Sequence, residues 1–369
     1  MSPAPTRIKI SLPQRSYEAV ISSGLLLQAG AHLRKLHGTR NVLFVVTVPP
    51  VRKRWGKKLT DSLAAAGFTA KIVDMPDGER HKNIATVEAL AEKLTRLGAE
   101  RNAVILAFGG GVVGDVAGML ASIYMRGVDV VQIPTTVLAQ VDASIGGKTG
   151  VNLRTGKNLL GTFHQPLAVL IDPSVLTTLP EREFRAGLYE SLKCGVIGNA
   201  GLFRRLENVG VKPLRKDAAA LQWVIAESVR LKAEVVSADE REGGLRRILN
   251  FGHTIGHALE SESNYRHFLH GEAVAWGMIG ATHIAAATGR LDRKTANQIT
   301  EAILTLGALP EVTAKSRKIL ELLRTDKKTM HGAVHFVLPT RIGAVEIVND
   351  VPEAAIIEAV DALRKLSSN

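Results

Sequence analysis

Short apolar runs with the character of buried strands alternate with amphipathic segments through the first half of the chain. Residues 83–97 repeat apolar side chains at the spacing of an amphipathic helix. Apolar, β-rich runs flank this helix, and they predict strands at 41–47, 69–74, 103–108 and 129–134. Strand–helix alternation of this kind is typical of a mainly parallel sheet with helices on its faces.

Helical periodicity dominates the chain after residue 178. A proline followed by acidic residues within 178–183 is a helix-start signal and marks the change. Helices are predicted at roughly 181–197, 216–238, 253–262, 271–288, 293–306, 316–323 and 352–366. We therefore predict a Rossmann-like α/β domain at 1–178 and an all-α domain at 179–369.

The composition is that of a globular protein with an anionic partner. Hydrophobic residues make up 46% and charged residues 22% of the 369 residues, and the net charge is +12. Such a charge suits a nucleic acid or a small anionic substrate. Aromatic residues are only 4%, which leaves few stacking platforms for single strands. We favour the small substrate and expect no nucleic-acid partner.

A cytoplasmic location is expected from three features of the sequence. No apolar run reaches the ~18 residues of a membrane-spanning helix. The first seven residues lack the apolar core of a signal peptide. Cys194 is the one cysteine, so no disulfide can form within the chain, which fits a reducing compartment.

A glycine-rich turn follows the strand predicted at 103–108. Gly109, Gly111 and Gly114 satisfy G-x-G-x-x-G and open a helical segment. Without side chains, the backbone N–H groups at such a helix start can bind a pyrophosphate. The alternative is a tight strand-to-helix turn without a ligand, but the strand–turn–helix context favours phosphate binding.

A second glycine cluster, at 142–150, resembles a nucleotide-triphosphate loop but fails its pattern. The position of the first required glycine holds Asp142, so a P-loop is excluded. What remains is a turn that presents Lys148, with Lys157 and Asn158 close behind it. Such side chains suit a phosphate or carboxylate, and the alternative is a solvated loop.

Histidines and one glutamate offer a metal site in the second half. His253 and His257 are four residues apart, and Thr254 between them excludes the zincin motif, which needs glutamate there. If 246–257 is helical, Arg246 and Asn250 share their face, as a pocket lining would; a buried structural histidine pair is the alternative.

A glutamate could complete this metal site. Glu190 and Lys193 share a face of one predicted helix, and His270 precedes another. One Glu and two His make a plausible catalytic zinc site, although spacing alone does not select the trio.

Together these motifs resemble the 3-dehydroquinate synthase family of sugar phosphate cyclases. The matching stretches span about 70–340 in one order: 109–115, 124–127, 132–136, 140–150, 156–158, 178–183, 249–257, 269–274 and 326–328. The resemblance implies an active site in a cleft between the two domains, a homodimer, and NAD and zinc as cofactors, with cobalt as an alternative metal.

The resemblance also assigns roles to individual residues. It implies that zinc is bound by Glu190, His253 and His270, while His257 lies in the substrate site. Arg126 would reach the phosphate end from the partner subunit. The remaining substrate positions are Asp142, Lys148, Asn158, Lys193, Lys232, Arg246, Asn250 and Lys327 of the 327–328 pair. The NAD positions are Glu79, Lys82, Gly110, Gly111, Val112, Asp115, Thr135, Thr136, Lys157, Thr178, Leu179 and Glu183.

One stretch departs from the family pattern. The family often has an Asp, and an Asn two residues on, after the first parallel strand, where they contact the adenosine ribose. This chain has Val48 and Pro50 there. A valine side chain cannot accept a ribose hydroxyl, so weaker NAD binding, or a substitute group, is implied.

The implied activity is conversion of 3-deoxy-D-arabino-heptulosonate 7-phosphate to 3-dehydroquinate and phosphate, the second step of the shikimate pathway to aromatic amino acids. It proceeds by transient oxidation, phosphate elimination, reduction and an intramolecular aldol reaction, so the enzyme is a lyase. Another sugar phosphate cyclase and a metal-dependent polyol or alcohol dehydrogenase are the alternative enzymes. A basic nucleic-acid-binding protein is the alternative outside enzymes.

Overall fold

The computed structural model of the chain describes residues 4–36, 41–325 and 334–368. These residues form two compact units. The first contains residues up to 180 and also 218–241, and the second contains 181–217 and 242 onwards. The chain thus leaves the first unit, returns to it for one helix, and leaves again.

The first unit is built on a seven-stranded sheet. Its strands are β1 (Thr6–Ile10), β2 (Tyr17–Ile21), β3 (Val42–Thr47), β4 (Thr69–Asp74), β5 (Val104–Gly109) and β6 (Asp129–Pro134), with β9 (Ala168–Ile171). Between β6 and β9, a separate hairpin is formed by β7 (Lys148–Leu153) and β8 (Gly156–Phe163). The helices are α1 (Ala29–Leu36), α2 (Pro49–Val51), α3 (Lys57–Ala65), α4 (Ile84–Arg96), α5 (Gly111–Ile123) and, from the returning segment, α9 (Ala218–Ala238).

The order of the large sheet is β1-β2-β9-β6-β5-β3-β4, and every pair except β1–β2 is parallel. All six residues of β5 are buried, as expected for a central strand covered on both faces. The four predicted strands correspond to β3, β4, β5 and β6, and the predicted helix at 83–97 corresponds to α4. The mainly parallel α/β fold is therefore confirmed.

The sheet contains a topological switch point. From β3 the chain adds β4 on one side, and it then adds β5 on the other side. Ligands of open α/β sheets bind outside the carboxyl ends of strands at such a point. The ends of β3 and β5 are joined there, because the Thr47 hydroxyl donates a 2.7 Å hydrogen bond to the Phe108 carbonyl.

The second unit is mainly helical, as predicted. Its helices are α6 (Glu181–Gly198), α7 (Ala200–Asn208), α8 (Val211–Lys216), α10 (His253–Glu262), α11 (His270–Ala287), α12 (Arg293–Thr305), α13 (Ser316–Thr325) and α14 (Glu353–Ser367). An antiparallel hairpin of β10 (Phe336–Arg341) and β11 (Ala344–Val348), absent from the prediction, adds to them. None of the helices within the described residues is long and apolar enough to cross a membrane.

The predicted helix at 216–238 belongs to the first unit, where it packs as α9 on β1 and β2. Its position there brings Lys232 to the first unit. The helical pattern identified the element, but an apolar helix face does not specify which neighbour it covers.

Helices α10 and α11 pack closely because glycines line their contact. A Cβ at Gly277 would lie 1.8 Å from the Gly252 carbonyl oxygen, and one at Gly256 would lie 2.8 Å from the Ala273 carbonyl oxygen. Only residues without a side chain allow backbones to approach this far.

Substitution of Gly277 tests this close contact. We expect Gly277→Ala to lower the free energy of unfolding by about 2–3 kcal/mol, since the backbone of α10 must move to accept the methyl group. Gly210→Ala is the matched control, because its Cβ would meet nothing closer than Pro213 Cδ at 3.7 Å. Urea denaturation of both variants measures the difference, and equal stability of the two would contradict the packing argument.

Candidate active site

The turn between β5 and α5 is open to an anion. A Cβ at Gly109 would lie 2.5 Å from the Val113 side chain, and one at Gly110 would lie 3.1 Å from Thr136. Glycine is therefore required by packing at Gly109. Gly110 and Gly111 are partly exposed at the amino end of α5, where backbone N–H groups bind anions.

The predicted NAD residues of this region are brought together by the sheet. The Thr135 N–H donates to the Gly109 carbonyl at 2.9 Å, so the end of β6 is fixed against the turn. Thr136 lies beside Gly110, where a Cβ on the glycine would be 3.1 Å from the threonine side chain, and Val112 lies in the first turn of α5. All of these residues lie at the carboxyl ends of neighbouring strands, beside the switch point.

A polar network surrounds Lys82, which is 6% exposed. Its ammonium group lies 2.5 Å from Asp115 Oδ2 and donates to Asn158 Oδ1 at 2.5 Å. Asn152 extends the network, because it donates to Glu79 at 2.8 Å and accepts from the Asn158 N–H at 2.9 Å. Asn152 was not predicted, because a half-buried asparagine in an ordinary hairpin sequence gives no signal.

Burial shifts the pKa of the Asp115 carboxyl group. Desolvation raises its pKa above the ordinary value of 3.8, although the adjacent Lys82 acts in the opposite direction. Asn158 has a left-handed φ of 55°, which a short polar side chain tolerates. The network therefore contains two residues whose conformation or ionisation is displaced from the ordinary state.

The first unit contains a second buried cation, Lys232 of α9. Its ammonium group lies 2.7 Å from Asp142 Oδ1 and donates to the Asp142 carbonyl at 2.6 Å. Lys148 begins β7 and is exposed, and Lys157 is half-buried. The lysines predicted to bind an anion thus include both exposed and buried ones.

Three other predicted residues of the first unit lie at its surface. Arg126 is exposed and follows Met125, and both have left-handed φ angles, of 70° and 50°. Consecutive non-glycine residues in this region are strained and are often found at functional sites. Thr178 ends a 3-10 helix and precedes Leu179, and its hydroxyl accepts a 3.0 Å hydrogen bond from Trp55, which was not predicted.

The predicted metal ligands lie together in the second unit. Glu190 is 1% exposed on α6, and its Oε1 lies 3.9 Å from His253 Nε2 and 3.8 Å from His270 Nε2. Lys193, one turn further along α6 and also 1% exposed, forms an ion pair with Glu190 Oε2. Glu190 Oε1 is buried and has no hydrogen-bond partner.

The two imidazoles are oriented by their other nitrogens. His253 Nδ1 lies 3.2 Å from the Phe251 carbonyl, which can only accept a hydrogen bond, so this nitrogen carries the proton and Nε2 carries the lone pair. His270 Nδ1 lies 3.3 Å from Glu260 Oε2. Both Nε2 atoms thus face Glu190.

The geometry of these three side chains fits a zinc ion. Zn²⁺ binds His nitrogen and carboxylate oxygen at about 2.0–2.2 Å, so tetrahedral ligands are separated by about 3.4 Å. The observed 3.8 and 3.9 Å are within half an ångström of that value. A buried carboxylate oxygen without a hydrogen-bond partner, such as Glu190 Oε1, also suits a metal ligand.

His257 lies beside this set. One ring nitrogen from each of His253, His257 and His270 lies within 4.8 Å of the others, so His257 is placed to face a metal or a molecule bound to it. Each ring centroid is 5.2–5.8 Å from the others. Spacing in the sequence brought His253 and His257 together, and the packing of α11 brings His270 to them.

Arg246 and Asn250 do not share a continuous helix with His253. They lie in a 3-10 helix, Leu245–Asn250, and Gly252, with a left-handed φ of 80°, separates it from α10. The single helix considered for 246–257 is therefore wrong, because α10 reaches α11 only after this turn. Arg246 is 2% exposed, and Asn250 donates to Glu242 at 2.9 Å.

Two of the predicted residues, Glu183 and Lys327, are not placed in the site by the structure, whereas Glu242, which was not predicted, contacts a predicted substrate residue. Glu183 is exposed in the first turn of α6, and Lys327 lies outside the described residues. Glu242, which accepts from Asn250, has a left-handed φ of 62°. Its position before Arg246 carried no motif, and only the backbone angle and this hydrogen bond indicate a role.

Two family models match the chain. The model described as 3-dehydroquinate synthase N-terminal matches residues 72–186, and the model described as 3-dehydroquinate synthase C-terminal matches 187–329. The 3-dehydroquinate synthase of Koribacter versatilis is 53% identical over 361 residues, which cover 98% of this chain and 99% of that protein.

Two solved structures are also similar. The 2-epi-5-epi-valiolone synthase of Streptomyces hygroscopicus subsp. jinggangensis, with NAD⁺ and Zn²⁺ bound, has a TM-score of 0.87 and 32% identity, over 96% of this chain and 99% of that one. A 2-deoxy-scyllo-inosose synthase in complex with carbaglucose-6-phosphate, NAD⁺ and Co²⁺ has a TM-score of 0.86 and 26% identity, over 98% of this chain and 99% of that one.

The fold is therefore that of the sugar phosphate cyclases. Within that class, the two family models and the relative at 53% identity narrow the assignment. The chain belongs to the 3-dehydroquinate synthase family.

The raised pKa of Asp115 predicts how stability varies with pH in the cofactor-free protein. The folded state holds this proton more tightly than the unfolded chain, so the free energy of unfolding falls as the pH rises above 3.8. We expect Asp115→Asn to remove that fall. The measurement is urea denaturation of the wild type and the variant between about pH 3 and pH 7. The difference between the two proteins isolates Asp115, because all other titrating groups are common to both.

Asp292→Asn is a control with the opposite sign. Asp292 accepts from the Thr295 N–H at the start of α12, which lowers its pKa. Its contribution is therefore present above 3.8 and is lost as the pH falls below that value. If Asp115→Asn behaves like Asp292→Asn, Lys82 outweighs burial and the assigned cause is wrong.

Proposed function

We propose that this protein converts 3-deoxy-D-arabino-heptulosonate 7-phosphate to 3-dehydroquinate and phosphate, as a lyase of the shikimate pathway. One observation carries the proposal. Glu190 is buried, its Oε1 lies within 3.9 Å of two imidazole nitrogens, and its other oxygen pairs with the buried Lys193. In a chain of this family, such a group supports a metal centre beside an anion-binding cation.

Each unit supplies one of the proposed cofactor sites. In the first unit the turn at Gly110–Gly111 and the network of Lys82 and Asp115 would hold NAD, and in the second Glu190, His253 and His270 would hold zinc or cobalt. When bound, NAD⁺ accepts and returns one hydride, and the metal polarises a coordinated hydroxyl. The reaction is therefore neutral in oxidation state and consumes no cofactor.

Cationic side chains bind the two anionic ends of the substrate in this proposal. Lys193 and Arg246 of the second unit are 1% and 2% exposed, and Lys232 of the first is 7% exposed. Charges removed from water bind an anion strongly because the local dielectric is low. Exposed Lys148, by contrast, can follow the substrate as it enters.

Neutral side chains handle protons and orient hydroxyls. His257 lies 5.2 Å from His253, centroid to centroid, and would accept or return a proton at a ring nitrogen. Asn250 is held by Glu242 and would orient a substrate hydroxyl with its amide oxygen. Neither residue is needed to hold the metal.

The experiment measures phosphate release from the heptulosonate phosphate with Zn²⁺ and a catalytic amount of NAD⁺. We expect phosphate release without net accumulation of NADH. His253→Ala should lower kcat by about a thousandfold or more and lose zinc, since a metal ion supplies several kcal/mol. His257→Ala should keep its zinc and lower kcat by about 10²- to 10⁴-fold, as expected for a proton-transfer group.

Controls separate this proposal from its alternatives. His283→Ala removes a half-exposed histidine of α11 that pairs with Glu358, and it should leave activity unchanged. A seven-carbon ketose phosphate without a carboxylate tests for another cyclase, and its preferred turnover would overturn the proposal. Accumulation of NADH with an unphosphorylated polyol would indicate a dehydrogenase instead.

We also propose that the protein acts as a homodimer. The β7–β8 hairpin exposes Leu153, Leu159, Leu160 and Phe163, each at 38–44%. Leu159 and Leu160 are adjacent and point to opposite faces of the strand, so both faces of the hairpin carry exposed apolar surface. A second copy of the chain would cover this surface and contribute Arg126.

Complementation tests the contribution of Arg126. Arg126→Ala and His253→Ala should each be inactive alone, because one lacks the shared arginine and the other the metal. Mixed and reassembled, they should recover about one quarter of wild-type activity, since half of the dimers are mixed and each has one complete site.

The mass from light scattering should be that of a dimer, and Leu159→Glu/Leu160→Glu should reduce it to that of a monomer. Leu27→Glu, at another exposed leucine, is the matched control. A monomeric wild type, or no recovery in the mixture, would contradict the proposal.

A cytoplasmic location completes the proposal. Cys194 is the one cysteine of the chain and lies buried in α6, so no disulfide forms within the chain, which suits a reducing compartment. We propose a small phosphorylated sugar acid as the sole substrate partner, with no nucleic acid and no membrane surface involved.

A further inference from the structure

A buried carboxylate outside the predicted site faces the proposed metal ligands. Glu260 lies on α10, seven residues after His253 and three after His257, so all three share one face of the helix. It is 2% exposed. Burial of a charged group is strongly unfavourable unless a partner compensates the charge, which indicates that Glu260 has a specific task.

The partner is His270. Glu260 Oε2 lies 3.3 Å from His270 Nδ1, while Nε2 of the same ring lies 3.8 Å from Glu190 Oε1. One imidazole therefore bridges two buried carboxylates, one at each nitrogen. An ionised carboxylate only accepts hydrogen bonds, so Nδ1 carries the proton and Nε2 carries the lone pair.

We propose that Glu260 is the positioning residue of the metal centre, which fixes the tautomer and orientation of His270 and increases the basicity of its Nε2. The inference rests on the proposed assignment of His270 as a metal ligand. Carboxylates that accept from the second nitrogen of a ligand histidine act in this way in metal sites generally.

The two histidine ligands differ in this respect. His253 donates to the neutral carbonyl of Phe251, whereas His270 faces a charged group. A hydrogen bond to a charged acceptor is about twice as strong as one between neutral groups. His270 is also the more exposed ring, with 32% of its side chain accessible against 12% for His253, so it needs the firmer support.

The backbone around the pair is rigid enough to preserve this geometry. The glycine contacts between α10 and α11 fix the two helices. Glu272, fully buried, accepts from the Leu269 N–H at 2.9 Å and so fixes the residue before His270. Arg182 holds that carboxylate with two hydrogen bonds of 2.7 Å each.

Metal affinity tests the inference without reference to turnover. In a chelator competition we expect Glu260→Ala to weaken Zn²⁺ binding by about 10- to 100-fold. Glu260→Gln, which keeps an oxygen acceptor without its charge, should lose less. Glu262→Gln is the matched control, because it removes the same charge from a half-exposed position of the same helix.

The visible spectrum of the Co²⁺-substituted proteins reports on the metal ligands themselves, and it would not change if Glu260 only stabilised the fold. We expect both Glu260 variants to shift the visible d–d bands, and Glu262→Gln to match the wild type. If Glu260→Ala does not fold, Glu260→Gln decides the question. Wild-type affinity and an unchanged spectrum in the variant that folds overturn the inference.

This failure is distinguishable from failure of the proposed function. A wild-type protein that releases phosphate and binds zinc, with Glu260 variants that bind zinc equally well, overturns only the role of Glu260. A wild-type protein that neither binds zinc nor releases phosphate overturns the proposed function itself.

Discussion

The desolvation of Glu190 is the constraint around which the second unit is organised. A carboxylate at 1% exposure has lost its hydration, and the penalty is several kcal/mol per ion in real proteins. Lys193 compensates one oxygen, and the two imidazoles stand around the other. The close packing of α10 and α11, the turn at Gly252 and the fixed start of α11 all serve to place those imidazoles. A cation at the proposed metal site would compensate the charge that the fold has removed from water.

Sequence patterns identified four of the seven strands of the large sheet, β3 to β6, and most of the helices. Continuous apolar runs such as β5 have few alternatives to a covered strand, and the face of α4 repeats at helical spacing. The other three strands of that sheet, β1, β2 and β9, were missed, and so were the β7–β8 and β10–β11 hairpins, because these strands are short, half-exposed or rich in glycine. The location of α9 depends on which surface its apolar face covers, and periodicity carries no such information.

The candidate site was predictable only where several residues share one motif. His253 and His257 came from their spacing, and the residues of the glycine turn came from their order. Glu190 and His270 lie far apart in sequence, so the resemblance alone joined them before the structure showed their proximity. Glu260 had a signal that was overlooked, since it continues the face of His253 and His257 by three residues. Asn152 and Glu242 had none, because their role depends on single hydrogen bonds to Asn158 and Asn250.

The return of α9 to the first unit has a consequence for synthesis on the ribosome. The strands of the large sheet are complete once residue 171 has emerged, but β1 and β2 lack their covering helix until 238 has followed. The intervening residues 181–217 belong to the second unit, whose other elements are translated later still. The nascent chain therefore passes through a stage in which the apolar surface that α9 will cover is exposed while the second unit is still incomplete. Contacts of such large sequence separation form slowly, so this stage is where chaperones would bind the growing polypeptide.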